Sequence, residues 1–325
     1  MTPDRLLAWV MEAQTAPSVH NVQPARWRVE PGAILLAEDM NRRLAIGDAT
    51  GHDAAISLGA AAEGLRLAAL ASGYALLETR EALPPLPDGL RPVMRFSPVP
   101  TTDSDALAPL LACRASWRGA FASPDEADRR ALQALTATDC TVITNSPELR
   151  RLGRCFDRAS YGFMRQAPFR RELRNWMRLS PRDPRWSRDG LNAQAMALSS
   201  LEALGAGFVL GPAFALLDRF GLAAPLLAEG SKIAGAAGLL LFHRPTGEDP
   251  FDSGRHFHRL WLAIEGVGMG AAVLAALADD RNVAADLMTE QGVPAGRRLV
   301  SAFRAGRRSG KAYPRARLPI GDVLI

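Results

Sequence analysis

Two segments of the chain carry arginine pairs spaced to hold a small anion. In Arg114-x-Ser116-x-Arg118, two guanidiniums and a hydroxyl share one face of an extended segment, because side chains at i and i+2 point the same way. That is a donor array of phosphate size. Pro314-Arg315-Ala316-Arg317-Leu318-Pro319 offers a second pair at the same period, fixed by flanking prolines; as a bland alternative it is a solvated basic tail. A third segment, Ala16-Pro17-Ser18-Val19-His20-Asn21-Val22-Gln23-Pro24, brackets polar donors and acceptors between prolines. An arginine pair alone is weak evidence here. Only Lys232 and Lys311 are lysines among 39 basic residues, so R-x-S-x-R also arises by chance.

Other patterns favour structural readings. Gly266-x-Gly268-x-x-Ala271 has dinucleotide-fingerprint letters but follows the helical stretch Leu260–Ile264 instead of a strand. His256 and His258, near Asp249 and Asp252, diverge on a helix, where Asp252 or Ser253 reads as the N-cap, so no metal site is expected. Arg170 to Arg188 holds seven arginines with Trp176 and Trp186 interleaved. A lid over an anionic ligand explains it as well as nucleic acid does, and no helix-turn-helix or RNA-binding signature accompanies it, so no nucleic-acid partner is expected. No Ser-His-Asp or Cys-His arrangement stands out, and no catalytic side chain is assigned. Cys113, Cys140 and Cys155 show no C-x-x-C spacing and read as buried thiols.

The elements that must position these residues follow from periodicity. Apolar residues from Arg5 to Gln14 recur at helical spacing, and the helix must stop before Pro17. Trp27–Val29 and Ala33–Ala37 flank a Pro31-Gly32 turn as a hairpin, with a polar loop at Asp48–Asp53. An Ala/Gly-rich helix, able to pack closely on another, runs from Ala54 to Ser72, where Gly73 caps it. A strand runs from Arg91 to Val99. The order then partly repeats: helix Pro124–Leu135, strand Thr141–Thr144, a long helical region, strand Leu239–Phe242 and helix Ser253–Ala278. Two lobes are expected, residues 1–103 and 104–325, with a lid-like insertion at about 155–235 in the second.

Composition is that of a globular protein of 325 residues: 48% apolar, 22% charged, net charge +5 and pI near 9.6. The basic balance points to an anionic partner. The longest uncharged run, Ala203–Leu217, is shorter than the roughly 18 to 20 residues that span a bilayer, and Asp4, Arg5 and Glu12 interrupt any leader-like stretch. A cytoplasmic location with no membrane partner is therefore expected.

Taken together, the three segments resemble a known family. Ala16-Pro17-Ser18-x-x-Asn21-x-Gln23-Pro24 is similar to the A-P-S-x-x-N-x-Q-P-W signature of the FMN-dependent nitroreductase superfamily, with Ala25 in place of the tryptophan. Arg114-x-Ser116-x-Arg118-x-x-Phe121 resembles that family's R-x-S-x-R-x-F segment, and Pro314–Pro319 its C-terminal phosphate-contacting stretch. Because R-x-S-x-R comes second in the chain, the arrangement resembles the Acg-type fused members, whose two lobes imitate the usual homodimer. The resemblance implies an α+β nitroreductase-like fold with two pseudo-symmetric lobes, able to act as a monomer. It implies one FMN per chain, held by Pro17, Ser18, Asn21 and Gln23 of lobe one and Arg114, Ser116, Arg118, Arg315 and Arg317 of lobe two. Arg118 is then expected near the flavin N1, and a Met269-Gly270-Ala271 turn near N5. The implied activity is an oxidoreductase passing electrons from NAD(P)H to a small planar acceptor, with FMN storage as the alternative.

Overall fold

Helix α1 (Pro3–Ala13) buries Leu6, Trp9, Val10 and Ala13, an i, i+3, i+4, i+7 stripe, and opens with Pro3 in its first turn. The computed structural model describes residues 1–325. Strands β1 (Ala25–Glu30) and β2 (Ala33–Asp39) form the expected hairpin through Pro31-Gly32, where Gly32 takes a φ of +73°. After helix α2 (His52–Ala71) come β3 (Tyr74–Thr79) and β4 (Leu90–Pro100), completing an antiparallel sheet of order β1-β2-β4-β3.

Helix α3 (Glu126–Gln133), capped by Asp125, leads to β5 (Cys140–Ile143). An excursion of about ninety residues follows, built from α4 (Ser146–Arg165), α5 (Ala167–Trp176), the two-residue parallel pair β6 (Met177–Arg178) and β7 (Leu191–Asn192), α6 (Ser200–Val209), α7 (Phe214–Arg219), α8 (Ala223–Leu227) and α9 (Gly230–Ala234). The chain returns through β8 (Gly238–Pro245), α10 (Pro250–Gly266), β9 (Gly270–Val273), α11 (Ala276–Asp279), α12 (Arg281–Glu290), β10 (Arg297–Gly306) and α13 (Ile320–Val323). The second sheet has the order β5-β8-β10-β9. In both sheets the first, second, fourth and third strands lie side by side, and the long helix connects the second strand to the third. The α+β fold is thus pseudo-symmetric, and the excursion sits where the first sheet has only a two-residue turn.

Helices α2 and α10 pack against each other at backbone range. A Cβ on Gly59 would overlap the carbonyl of Phe251, and one on Gly254 would overlap that of Ile56, so each helix offers a glycine to the other. His258 is fully buried in this seam, its Nδ1 2.7 Å from the Ala60 carbonyl, which gives it a structural role. Helix α2 is also long and apolar enough to cross a membrane, and most of that span is buried in the core.

The structure corrects several expectations. The helix expected over Ser253–Ala278 ends at Gly266, and Gly268 turns at φ +78° into β9. Its N-cap is Asp249, which accepts from the Phe251 N–H at 3.0 Å, rather than Asp252 or Ser253. Strands β3 and β10 lie outside every expected element. Cys113 is exposed, whereas Cys140 and Cys155 are buried. The C-terminal tail crosses back to the first sheet: Ile325 N–H donates to the Trp27 carbonyl at 2.9 Å, and Leu318 and Val323 join the core built on α1, α2 and β2.

Candidate functional site

The loop between α1 and β1 is strained where the sequence is most polar. His20, Asn21 and Gln23 have φ of +44°, +56° and +53°, a region that costs non-glycine residues about 1–3 kcal/mol. Side-chain bonds hold it in place. Ser18 Oγ accepts from the Gln23 N–H at 3.0 Å, and Asn21 Nδ2 donates to the Gly190 and Ala316 carbonyls at 3.2 and 3.1 Å. Asn21 Oδ1 accepts from Arg317 at 2.8 Å. One asparagine therefore joins the first lobe, the excursion and the C-terminal tail.

These segments meet at a cavity of about 450 Å³, within the roughly 300–1,000 Å³ range of small-molecule sites. Pro17, Ser18 and Asn21, then Arg114, Ser116 and Arg118, then Arg315 and Arg317 all line it. A second cavity that shares Pro17, Ser18 and Ser57 with it is far smaller, about 20 Å³. Ser116 is brought there by a parallel bridge to Ala271, and the Trp117 N–H donates to the Ala271 carbonyl at 2.7 Å. Apolar walls come from Ile56, Phe257 and Trp261 on one side. Phe156, Phe163 and Met164 of α4 and Phe169 and Leu173 of α5 close the other.

Two of the expected segments lie outside the lining of this cavity. Gln23 does not reach the cavity; its amide donates to the Arg188 carbonyl at 2.8 Å and accepts from the Leu318 N–H at 2.9 Å, a fastening role. Met269, Gly270 and Ala271 do not line it either. They enter β9, where Gly270 and Ala271 pair with Gly306 and Ala305, so they form sheet and not an open turn.

The electrostatics of the cavity are lopsided. Arg114 is 1% exposed, its Nη2 donating to the Thr15 carbonyl at 2.6 Å while Nε and Nη1 have no partner. Its guanidinium lies 4.8 Å from the centre of the Trp261 ring. Burial, then the nearby Arg317 and Arg315, push its pKa well below that of a free arginine. Arg317 also has an unpartnered Nε, and burial lowers it to about 10. Arg118, lowered by burial, makes no side-chain hydrogen bond. His20 is lowered to about 4 by burial and by Arg118, so it is neutral, and its Nδ1 is unpartnered. A buried cation whose nearby countercharge, Glu265, already pairs with Arg308 is costly, and an anion placed here would supply acceptors for these donors.

Sequence reasoning missed a second feature. Asp53 from the first turn of α2 and Asp279 at the end of α11 line the same cavity. Desolvation, then Asp279 and Asp48, raise Asp53 to about 8, and desolvation and Asp48 raise Asp279 to about 6. Nothing in the letters pairs residues 226 positions apart. The signal available was Asp53 at the start of the Ala/Gly helix, which reads as an ordinary first-turn acid.

No protein-family model matches the chain. An uncharacterized protein of Mycobacterium tuberculosis, found in strains H37Rv and CDC 1551, is 39% identical over 94 residues, taking in 28% of this chain and 27% of that protein. Solved structures similar to this chain include nitroreductases. One from Bacteroides fragilis with bound FMN has a TM-score of 0.36 at 13% identity, over 65% of this chain and 92% of that one. NfnB from Mycobacterium smegmatis, solved with NADPH, has a TM-score of 0.34 at 18% identity, over 63% of this chain and 92% of its own. A chain of Anabaena variabilis assigned to the nitroreductases has a TM-score of 0.46 at 11% identity, over 91% of this chain and 82% of that one.

Proposed function

We propose that the chain binds FMN in this cavity and acts as an oxidoreductase, passing electrons from NAD(P)H to a small planar acceptor such as a nitroaromatic or quinone. The observation that carries the reading is Arg114: a buried guanidinium with two unpartnered donors, in a cavity also lined by Arg315 and Arg317 and free of any carboxylate bonded to Arg114. Such a cluster favours a dianionic phosphate, and the apolar and aromatic walls favour a flat ring system.

The bound flavin would supply hydride acceptance and release. The chain's own residues bind and orient. Arg114 and Arg317 would hold the phosphate, with Asn21 fixing Arg317 at 2.8 Å. Arg118, a cation without a hydrogen-bond partner, would lie at the ring and favour its reduced anionic state. Phe163, Phe169 and Leu173 would exclude water from the ring. Asp53, raised to about 8, holds a proton at neutral pH and could return it to a reduced product.

A second reading, FMN storage with little turnover, draws on the wall that α4 and α5 build across the cavity. Reconstitution with FMN followed by steady-state NADH and NADPH oxidation with a quinone separates the two. Turnover above free flavin is expected. Tight FMN binding without turnover would favour storage, and no FMN binding would sink both.

A further inference from the structure

The excursion carries an apolar face that nothing in the chain covers. Half of the chain's exposed large apolar side chains, seven of fourteen, lie between residues 201 and 226. On α6, Leu201, Leu204 and Phe208 recur at i, i+3 and i+7 with exposures of 79%, 72% and 60%, while Ala203 faces inward. Leu216, Phe220 and Leu226 of the α7–α8 region extend the face at 60–66%. An apolar area concentrated like this marks an interaction surface.

The rim of the face is basic. Arg170 lies 3.7 Å over the Phe214 ring, Arg165 pairs with Asp218 of α7, and Arg174 abuts the turn at Gly211. Arg171, Arg174 and Arg219 are exposed and make no ion pair. The acidic groups nearby are engaged: Asp218 by Tyr161 and Arg165, Glu229 by Lys232, and Glu202 in the capping box of α6. From residue 165 to 232 the chain has ten basic and six acidic side chains. Across a two-fold interface this rim would face its own copy and repel it, whereas an anionic surface would attract it.

We infer that the α6–α8 face docks on an anionic lipid bilayer, with Leu204, Phe208 and Phe220 entering the interface and the flanking arginines on the headgroups. This attachment lies on the membrane without spanning it, so a short uncharged run does not argue against it. It goes beyond the flavin reading and does not depend on it. Helices α4 and α5 wall the cavity from within and carry Arg165, Arg170 and Arg174 beside the face, so docking would set the cavity's outer wall against the lipid.

Co-sedimentation of the full chain with sucrose-loaded vesicles tests the inference. The wild type should pellet with vesicles of equal phosphatidylcholine and phosphatidylglycerol and far less with phosphatidylcholine alone. Leu204→Glu with Phe208→Glu, both exposed and therefore tolerated by the fold, should lower partitioning roughly a hundredfold or more. Arg171→Glu with Arg174→Glu should lower it by at least roughly fivefold per position. Wild type that stays in solution with anionic vesicles would overturn the inference, as would binding that neither pair reduces. A dimer seen by sedimentation velocity and dispersed by the Glu pair, with no vesicle binding by the wild type, would reassign the face to a second copy and also overturn it.

Discussion

Replacing Arg114 by Met separates a ligand-binding arginine from a structural one, because the two roles give effects of opposite sign. In the ligand-free chain the guanidinium is 1% exposed, has two unpartnered nitrogens and lies among Arg315, Arg317 and Arg308, with Glu265 the nearby countercharge. A side chain of similar length removes that buried charge and its desolvation cost, so the ligand-free variant should be at least as stable as wild type. The one bond lost, to the Thr15 carbonyl, leaves no orphan, since Arg317 Nη2 donates to the same oxygen at 2.9 Å. FMN affinity should fall by on the order of 1.5 to 3 kcal/mol, the scale of one hydrogen bond to a charged group, or roughly ten- to a hundredfold. Fluorescence titration of apo protein with FMN reads the affinity, and thermal melting without ligand reads the stability. A variant that melts lower yet binds FMN as well as wild type would show that Arg114 is a structural strut and that the phosphate assignment is wrong.

Four further outcomes are expected. Arg118→Ala should make bound FMN harder to reduce, by on the order of 30 mV for each 1.4 kcal/mol of lost stabilisation; an unshifted midpoint in a redox titration removes that role. Asp53→Asn should flatten the pH dependence of stability. The fold raises this acid from about 3.9 to about 8, so the folded chain binds the proton more tightly and stability is lost as pH rises between those values. The variant's melting point should therefore exceed wild type at pH 8.5, by roughly 2–4 °C per kcal/mol, and match it at pH 4; superimposable curves would contradict the desolvation account. Gly254→Ala drives a Cβ into the Ile56 carbonyl and should cost on the order of 3 kcal/mol or more, checked by urea unfolding. Reconstituted protein should hold one FMN per chain by absorbance, and a ratio near two would refute the single-cavity reading.

The legible parts of the sequence were those governed by local rules. The α1 stripe, the Pro31-Gly32 hairpin and the Ala/Gly helix α2 each follow from periodicity and turn chemistry within a dozen or so residues. Strand β10 was hidden because Arg297, Arg298 and Arg304 interrupt its apolar run. Those arginines turn out to bond His243, His52 and the Arg118 carbonyl, partners that only the fold supplies. The long helix expected after Ser253 failed at Gly266-Val-Gly268, two glycines that helical periodicity alone tolerates. At the cavity, the arginine segments stood out through their period-two spacing, whereas Asp53 and Asp279 became unusual only once the fold placed them at one cavity.

The two sheets repeat each other, yet the residues that line the cavity do not, and the difference lies in what each half brings. The first lobe contributes a loop whose φ values are strained and whose side chains, Ser18 and Asn21, are neutral donors and acceptors. The second contributes cations, Arg114, Arg118, Arg315 and Arg317, and has no counterpart of that loop. Its tail must cross to the first sheet, ending at Trp27, before Arg315 and Arg317 can reach the cavity. Asn21 bonds both that tail and the excursion, so contacts from all three parts help to hold the strained loop. An anion bound at Arg114 would strengthen the same junction, because it relieves the repulsion that Arg317 and Arg315 exert on the buried guanidinium. On the proposed flavin reading, ligand binding and seating of the tail against the polar loop would therefore reinforce each other.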